Sequence, residues 1–288
     1  MIVVAGATGS LGGKIAEGLH ARGERVRALV RPTSDHVALQ RTGVPIMYGD
    51  LTQPETLARA LPGARVLITT ASASKRNDDA IENVDLTGNL NLVDAAREAG
   101  VGHVVFVSTV GASPEHPVPV FRAKGTAEKA LRESGLTYTI LQANAFMDVW
   151  FSALIEAPLF AGQPVTLVGE SRRRHSFVAE SDVAAFAVAA VRYPAARNRT
   201  ILIGGPSALT LRDVVAAYAR AAGVDIPVNS VAPGEPIAGL PEPVVMLAAA
   251  LETYDSPIPM EATAAAFGVD LTSVDEFARM RLNPELDA

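Results

Sequence analysis

At 288 residues the chain is long enough for one large α/β domain with a smaller lobe grafted on, and its 49% hydrophobic content supplies an ample core. A formal charge of −6 gives no basic face for binding duplex nucleic acid, and the lack of cysteine excludes a disulfide scaffold, a thiolate metal site and cysteine-based catalysis. Five histidines without local pairing argue against a metal site of any other kind.

The first apolar run, MIVVAGATG, has no basic leader and breaks at glycine, so it reads as a strand and not as a signal peptide or anchor. Later apolar stretches at 183–191 and 244–251 fall short of the roughly 20 residues needed to span a bilayer. The sequence therefore reads as a soluble, cytoplasmic protein without a membrane partner. Short β-branched runs at 2–5, 25–30, 45–48, 66–70, 104–107 and 137–141 read as strands. Between them, Ala/Leu/Glu-rich stretches at 11–21, 34–41, 54–60, 78–99 and 122–133 read as helices. That alternation predicts a doubly wound parallel α/β sheet.

After about residue 146 the rhythm loosens into Pro- and Gly-rich stretches at 156–164, 229–243 and 256–259, predicting a smaller C-terminal substrate lobe. A helix at 181–192 and a strand at 200–203 return to the main pattern. The nucleotide-binding domain is thus expected at 1–146 plus about 181–205, and the lobe at about 147–180 plus 206–288.

GATGSLGG follows the first strand and opens a helix, setting Gly6, Gly9 and Gly12 at G-x-x-G-x-x-G spacing. Gly6 allows the tight turn, Gly9 lets backbone N–H groups approach a pyrophosphate, and Gly12 allows helix and strand to pack closely. Thr8, Ser10 and Leu11 lie between them among the expected cofactor contacts. The second strand ends in Arg31, where an acid would grip the ribose of NAD; an arginine there suits the 2′-phosphate of NADP(H), with Thr33 or Ser34 as a further donor. NADPH is therefore the expected cofactor in preference to NADH. Asp50, after the third strand, reads either as an acceptor for the adenine amino group or as a turn residue, with Leu51 beside it. Thr70, Ala71 and Ser72, after the fourth strand, are small enough to let a cofactor ribose pass.

GATGSLGG, ALVR, GDL, LTGNLNLVDAAREAGVGHVVFVSTVGA and FVAESDVAAFAVAAV together resemble the NmrA-like branch of the atypical short-chain dehydrogenase/reductases over nearly the whole chain. The resemblance implies a Rossmann fold, NADP(H), and a catalytic serine followed by Tyr-x-x-x-Lys. Ser108 and Lys124 match, with Lys124 expected against the nicotinamide ribose. The tyrosine position is Val120, so the family's proton donor is missing. Only 4 of the 25 basic residues are lysine, which draws attention to Lys124; its other reading is a surface i,i+4 pair with Glu128.

Where relatives carry Arg-Pro and an aromatic, this chain has Gln142-Ala143, then Phe146, read either as a nicotinamide shield or as a core anchor. Arg172, Arg173 and Arg174 read as a solvated turn or a clamp for an anionic group, with His175 as a candidate acid and His116 as the other histidine placed to approach the nicotinamide. Two functions follow: reduction of a quinone or of an aromatic or polyketide-type ketone, or a non-catalytic NADP(H) sensor acting through a protein partner. The stretch 244–251 offers a partner or homodimer face.

Overall fold

Strands buried on both faces need continuous apolar sequence, and IVVA and VLIT, all eight residues buried, provide it. In a computed structural model, which describes residues 1–73 and 80–283, they form β1 (Ile2–Ala5) and β4 (Val66–Thr69). With β2 (Val26–Val30), β3 (Ile46–Tyr48), β5 (His103–Thr109), β6 (Tyr138–Ala143) and β8 (Arg199–Ile203) they make one sheet, ordered β3-β2-β1-β4-β5-β6-β8. β1 pairs in parallel with β2 and with β4, Val3 lying opposite Arg27 and Leu67. Strand order reverses between β1 and β4, and such a switch point opens a crevice beyond the carboxyl ends of the strands.

Helices α1 (Ser10–Ala21), α2 (Val37–Arg41), α3 (Pro54–Ala60), α4 (Asn89–Glu98) and α5 (Pro119–Glu133) connect these strands. α5 starts three residues before the expected Arg122 because Pro119 sits in its first turn, where its missing N–H costs nothing. The helix expected from 78 differs more. Asp78 and Asp79 lie outside the described residues, Ile81–Gly88 is π-helical, and Asn89–Glu98 is α. Hydrophobic period does not distinguish the wider π turn.

The chain forms two compact units, residues 1–143 with 183–202, and residues 144–182 with those from 203 onward. In the first, Leu57, Leu61, Leu67, Leu92, Phe106 and Ile140 form the core. The second centres on Phe151, whose ring meets Phe177, Tyr218 and Phe277 edge-on at 5.1, 6.2 and 5.9 Å. Beside it, buried Glu156 accepts hydrogen bonds from Tyr218, Ser152 and Arg281. Residues 229–243, expected to be irregular, begin instead inside β9 (Val228–Val231), which pairs in parallel with β7 (Val165–Val168). With two apolar residues in four, β9 takes its order from that partner.

Candidate cofactor and catalytic site

Gly6 has φ +82°, which favours glycine, and a Cβ there would lie 2.7 Å from Thr70 Oγ1 and 2.8 Å from the Ala71 nitrogen. A Cβ on Gly12 would run into the Gly6 carbonyl. The loops after β1 and β4 therefore meet at the switch point, in a cradle that side chains would fill. Gly9 is the N-cap of α1 with no side-chain cap, and the first turn carries no acid, so the positive helix end is left for an anion. Thr8 and Ser10 are exposed and Leu11 half-buried beside it.

Arg31 donates from Nε to Ser34 Oγ at 3.2 Å, which fixes the guanidinium at the end of β2. Asp50 Oδ1 accepts from the Thr52 nitrogen (2.9 Å) and Oγ1 (2.8 Å), the bonds of a turn residue. The Leu51 carbonyl accepts from Asn91 Nδ2 at 2.8 Å, securing the loop to α4.

After β4, Thr70, Ala71, Ser72 and Ala73 run alongside the π-helical turn. Asn89 Nδ2 donates to the carbonyls of Ala71, Val84 and Asp85 at 3.4, 3.2 and 3.1 Å. The Ala73 nitrogen donates to Asp85 Oδ2 at 2.7 Å. Asp85 and Asn89 were not selected from the sequence. The available signal was one acid between Val84 and Leu86, with an amide four residues on.

Ser108, at the end of β5, is buried and its Oγ has no hydrogen-bond partner among the described residues. Lys124 on α5 is 9% exposed, its Nζ 3.8 Å from Asp85 Oδ1 and 5.6 Å from the centre of the Phe106 ring. Burial pushes the ammonium below its ordinary range, opposed by the charges of Asp85 and Glu128. The surface Lys124–Glu128 pair is thereby corrected: Glu128 is buried and holds Arg132 at 2.6 Å and Gln142 Nε2 at 2.9 and 3.0 Å. Gln142, in place of the family's arginine, serves that carboxylate. Val120 and Phe121 lie in the first turn of α5, and Phe121 stacks on His116 at 4.6 Å. The His116 Nδ1 accepts from the Val118 nitrogen, closing its own loop.

In the second unit Phe146 is half-buried, and its backbone bridges to Val178. His175 is buried, with Nε2 donating to the Leu251 carbonyl (3.0 Å) and Nδ1 against Ser256 Oγ (2.8 Å). Both ring nitrogens are engaged, so it ties segments together in place of the expected acid role. Arg173 pairs with Asp255, Arg174 donates to the Ala208 carbonyl, and Arg172 meets exposed Glu170, an arrangement of turn contacts.

A family model described as NAD(P)H-binding matches residues 6–194. The photosystem II assembly factor Ycf39 of Cyanophora paradoxa is 32% identical over 233 residues, covering 80% of this chain and 71% of that one. NAD(P)H azoreductase of Xenophilus azovorans is 33% identical over 227 residues, covering 77% and 74%. Among solved structures, the NADPH-dependent quinone oxidoreductase QOR2 of Escherichia coli, complexed with NADPH, superposes with a TM-score of 0.83 at 22% identity, covering 98% of this chain and 100% of that one. This last is a likeness of fold.

Proposed function

The chain belongs to the NAD(P)H-binding, NmrA-like branch of the atypical short-chain dehydrogenase/reductases, and from that premise we propose that it is an NADPH-dependent reductase acting on a quinone or an aromatic ketone. The glycine cradle at the β1/β4 switch point and the unpartnered Ser108 Oγ fit such a cofactor. In this reading Gly6, Gly9 and Gly12, with Thr8, Ser10 and Leu11, seat the pyrophosphate. Arg31 takes the 2′-phosphate, and Thr70, Ala71 and Ser72 border a ribose. Lys124 binds the nicotinamide ribose, and Ser108 donates to the substrate carbonyl.

The observation that carries the reading is a buried Lys124 with Val120 where a proton-donating tyrosine would stand. Bound NADPH supplies the hydride. Hydride delivered to a quinone leaves a hydroquinone anion, and hydride delivered to the conjugated carbon of an aromatic enone leaves an enolate; both spread the negative charge over the conjugated system, so the site needs to position the acceptor more than to protonate it. The proton then comes from solvent. Simple aliphatic ketones, whose alkoxide has no such outlet, are poor substrates. The name of the azoreductase relative agrees with a conjugated acceptor of NAD(P)H electrons.

Similarity to a photosystem II assembly factor favours a second reading, a cofactor-binding protein that works through a protein partner. No helix among the described residues is long and apolar enough to cross a membrane. NADPH oxidation by purified protein, assayed with quinones, polycyclic aromatic ketones and aliphatic ketones, separates the two. Turnover of the first two classes that collapses in Lys124→Ala supports the reductase; tight NADPH binding with no turnover of any acceptor supports the second reading.

A further inference from the structure

Two acids serve cations around α5, and they are bonded differently. Glu128 is saturated, with Arg132 at 2.6 Å and both oxygens taken by Gln142. Asp85, with no exposed surface, is not. Its Oδ2 accepts the Ala73 N–H at 2.7 Å, but its Oδ1 has no hydrogen-bond partner among the described residues and faces Lys124 Nζ at 3.8 Å. That spacing is beyond a hydrogen bond, so the pair attracts without consuming the donors of the ammonium. A buried carboxylate is costly unless its charge is answered, and among the described residues Lys124 is the cation that answers this one.

The π-helical run delivers the arrangement. It places Asp85 between the Ala71–Ala73 loop and α5, and Asn89, just past its end, bonds the Ala71, Val84 and Asp85 carbonyls. Among the described residues, the charged groups acting on Lys124 are Asp85 from the π turn and Glu128 from its own helix, while β5 presents the Phe106 ring. β6 contributes the neutral Gln142, bound to Glu128.

We propose that Asp85 is the positioning residue for Lys124: it ties the lysine to the loop after β4 and keeps it a cation with its donors directed at the nicotinamide ribose. This rests on the reading of Lys124 given above. In a family member without the tyrosine, the lysine has no phenol to tune, and the Asp85–Lys124 pair serves cofactor binding alone.

The scarcity of lysine makes a direct test practical. Protein labelled at the lysine ε-carbon is titrated by NMR, with the Lys124 signal assigned by its loss in Lys124→Gln. Asp85→Asn is expected to lower the Lys124 midpoint by at least about one pH unit. It is also expected to weaken NADPH binding about threefold at a pH midway between the two midpoints, and to have no further effect on binding in the Lys124→Gln background. Asp85→Ser, which retains an oxygen for the Ala73 N–H, serves if Asp85→Asn does not fold. An unmoved midpoint, or a moved midpoint with unchanged NADPH affinity, overturns the role of Asp85. Equal NADPH affinity of Lys124→Gln and the parent protein overturns instead the reading of Lys124 itself.

Discussion

Gly6 and Thr70 stand so close that a methyl group on the glycine would lie 2.7 Å from the threonine hydroxyl. Gly12 shares that threonine as a neighbour, again at 2.7 Å from a would-be Cβ. Gly12→Ala is therefore expected to push α1 away from β1, costing about 1–3 kcal/mol of stability and at least about tenfold in NADPH affinity. Thermal melting and cofactor titration of one preparation read both. An alanine variant that binds NADPH like the parent would show that the cradle is not the pyrophosphate seat.

Arg31, aligned by Ser34, is expected to discriminate between the two nicotinamide cofactors. Arg31→Ala should weaken NADPH about ten- to a hundredfold, the worth of one charge-assisted contact, while leaving NADH within about threefold. Parallel calorimetric titrations with the two cofactors measure the ratio.

His103 gives the first unit a dependence on pH. Thr139 Oγ1 donates to the Ala196 carbonyl and so accepts from His103 Nε2 at 2.9 Å, leaving Nδ1 buried with no hydrogen-bond partner among the described residues. Burial, with Arg197 nearby, lowers the imidazole from 6.5 to about 4. Between those values the unfolded chain binds the proton and the folded one does not, so stability is full above pH 6.5 and declines as pH falls toward 4, by about 3 kcal/mol at most. Urea unfolding across that window should show the slope, and His103→Gln should flatten it.

Glu156 acts at a lower pH in the second unit. Desolvation pushes its carboxyl up, but the bonds from Arg281, Tyr218 and Ser152 outweigh it and hold the group below its ordinary 4.5. Its contribution is present above that value and disappears as pH falls through the lower folded one. Arg281→Ala leaves a buried carboxylate short of its cation and should cost about 3 kcal/mol at neutral pH, with a partial recovery in Arg281→Ala/Glu156→Gln. Denaturant midpoints of the two variants decide it.

How much of this was legible in the sequence depended on how local the cause was. The Gly6–Gly12 cradle announces itself, because a strand, three spaced glycines and a helix lie within 20 consecutive residues. Ser108 and Lys124 were visible through the family pattern, and Val120 through its breach. Asp85 was not: its chemistry comes from burial and from a π turn that looks like any helical stretch in hydrophobic period. The partnership of Glu128 with Gln142 joins two elements 14 residues apart and reversed the surface reading of Lys124. The β7–β9 pairing was hidden for the same reason, since its strands are about 60 residues apart and β9 has little strand character alone.

The π-helical run Ile81–Gly88 also constrains how this chain can vary. Loss of one residue within it would let the segment tighten toward an α-helix and draw its side chains out of their present register relative to Asn89. Asp85 would no longer meet both the Ala73 N–H and Lys124. Side chains along its outer face can change freely, whereas its residue count cannot.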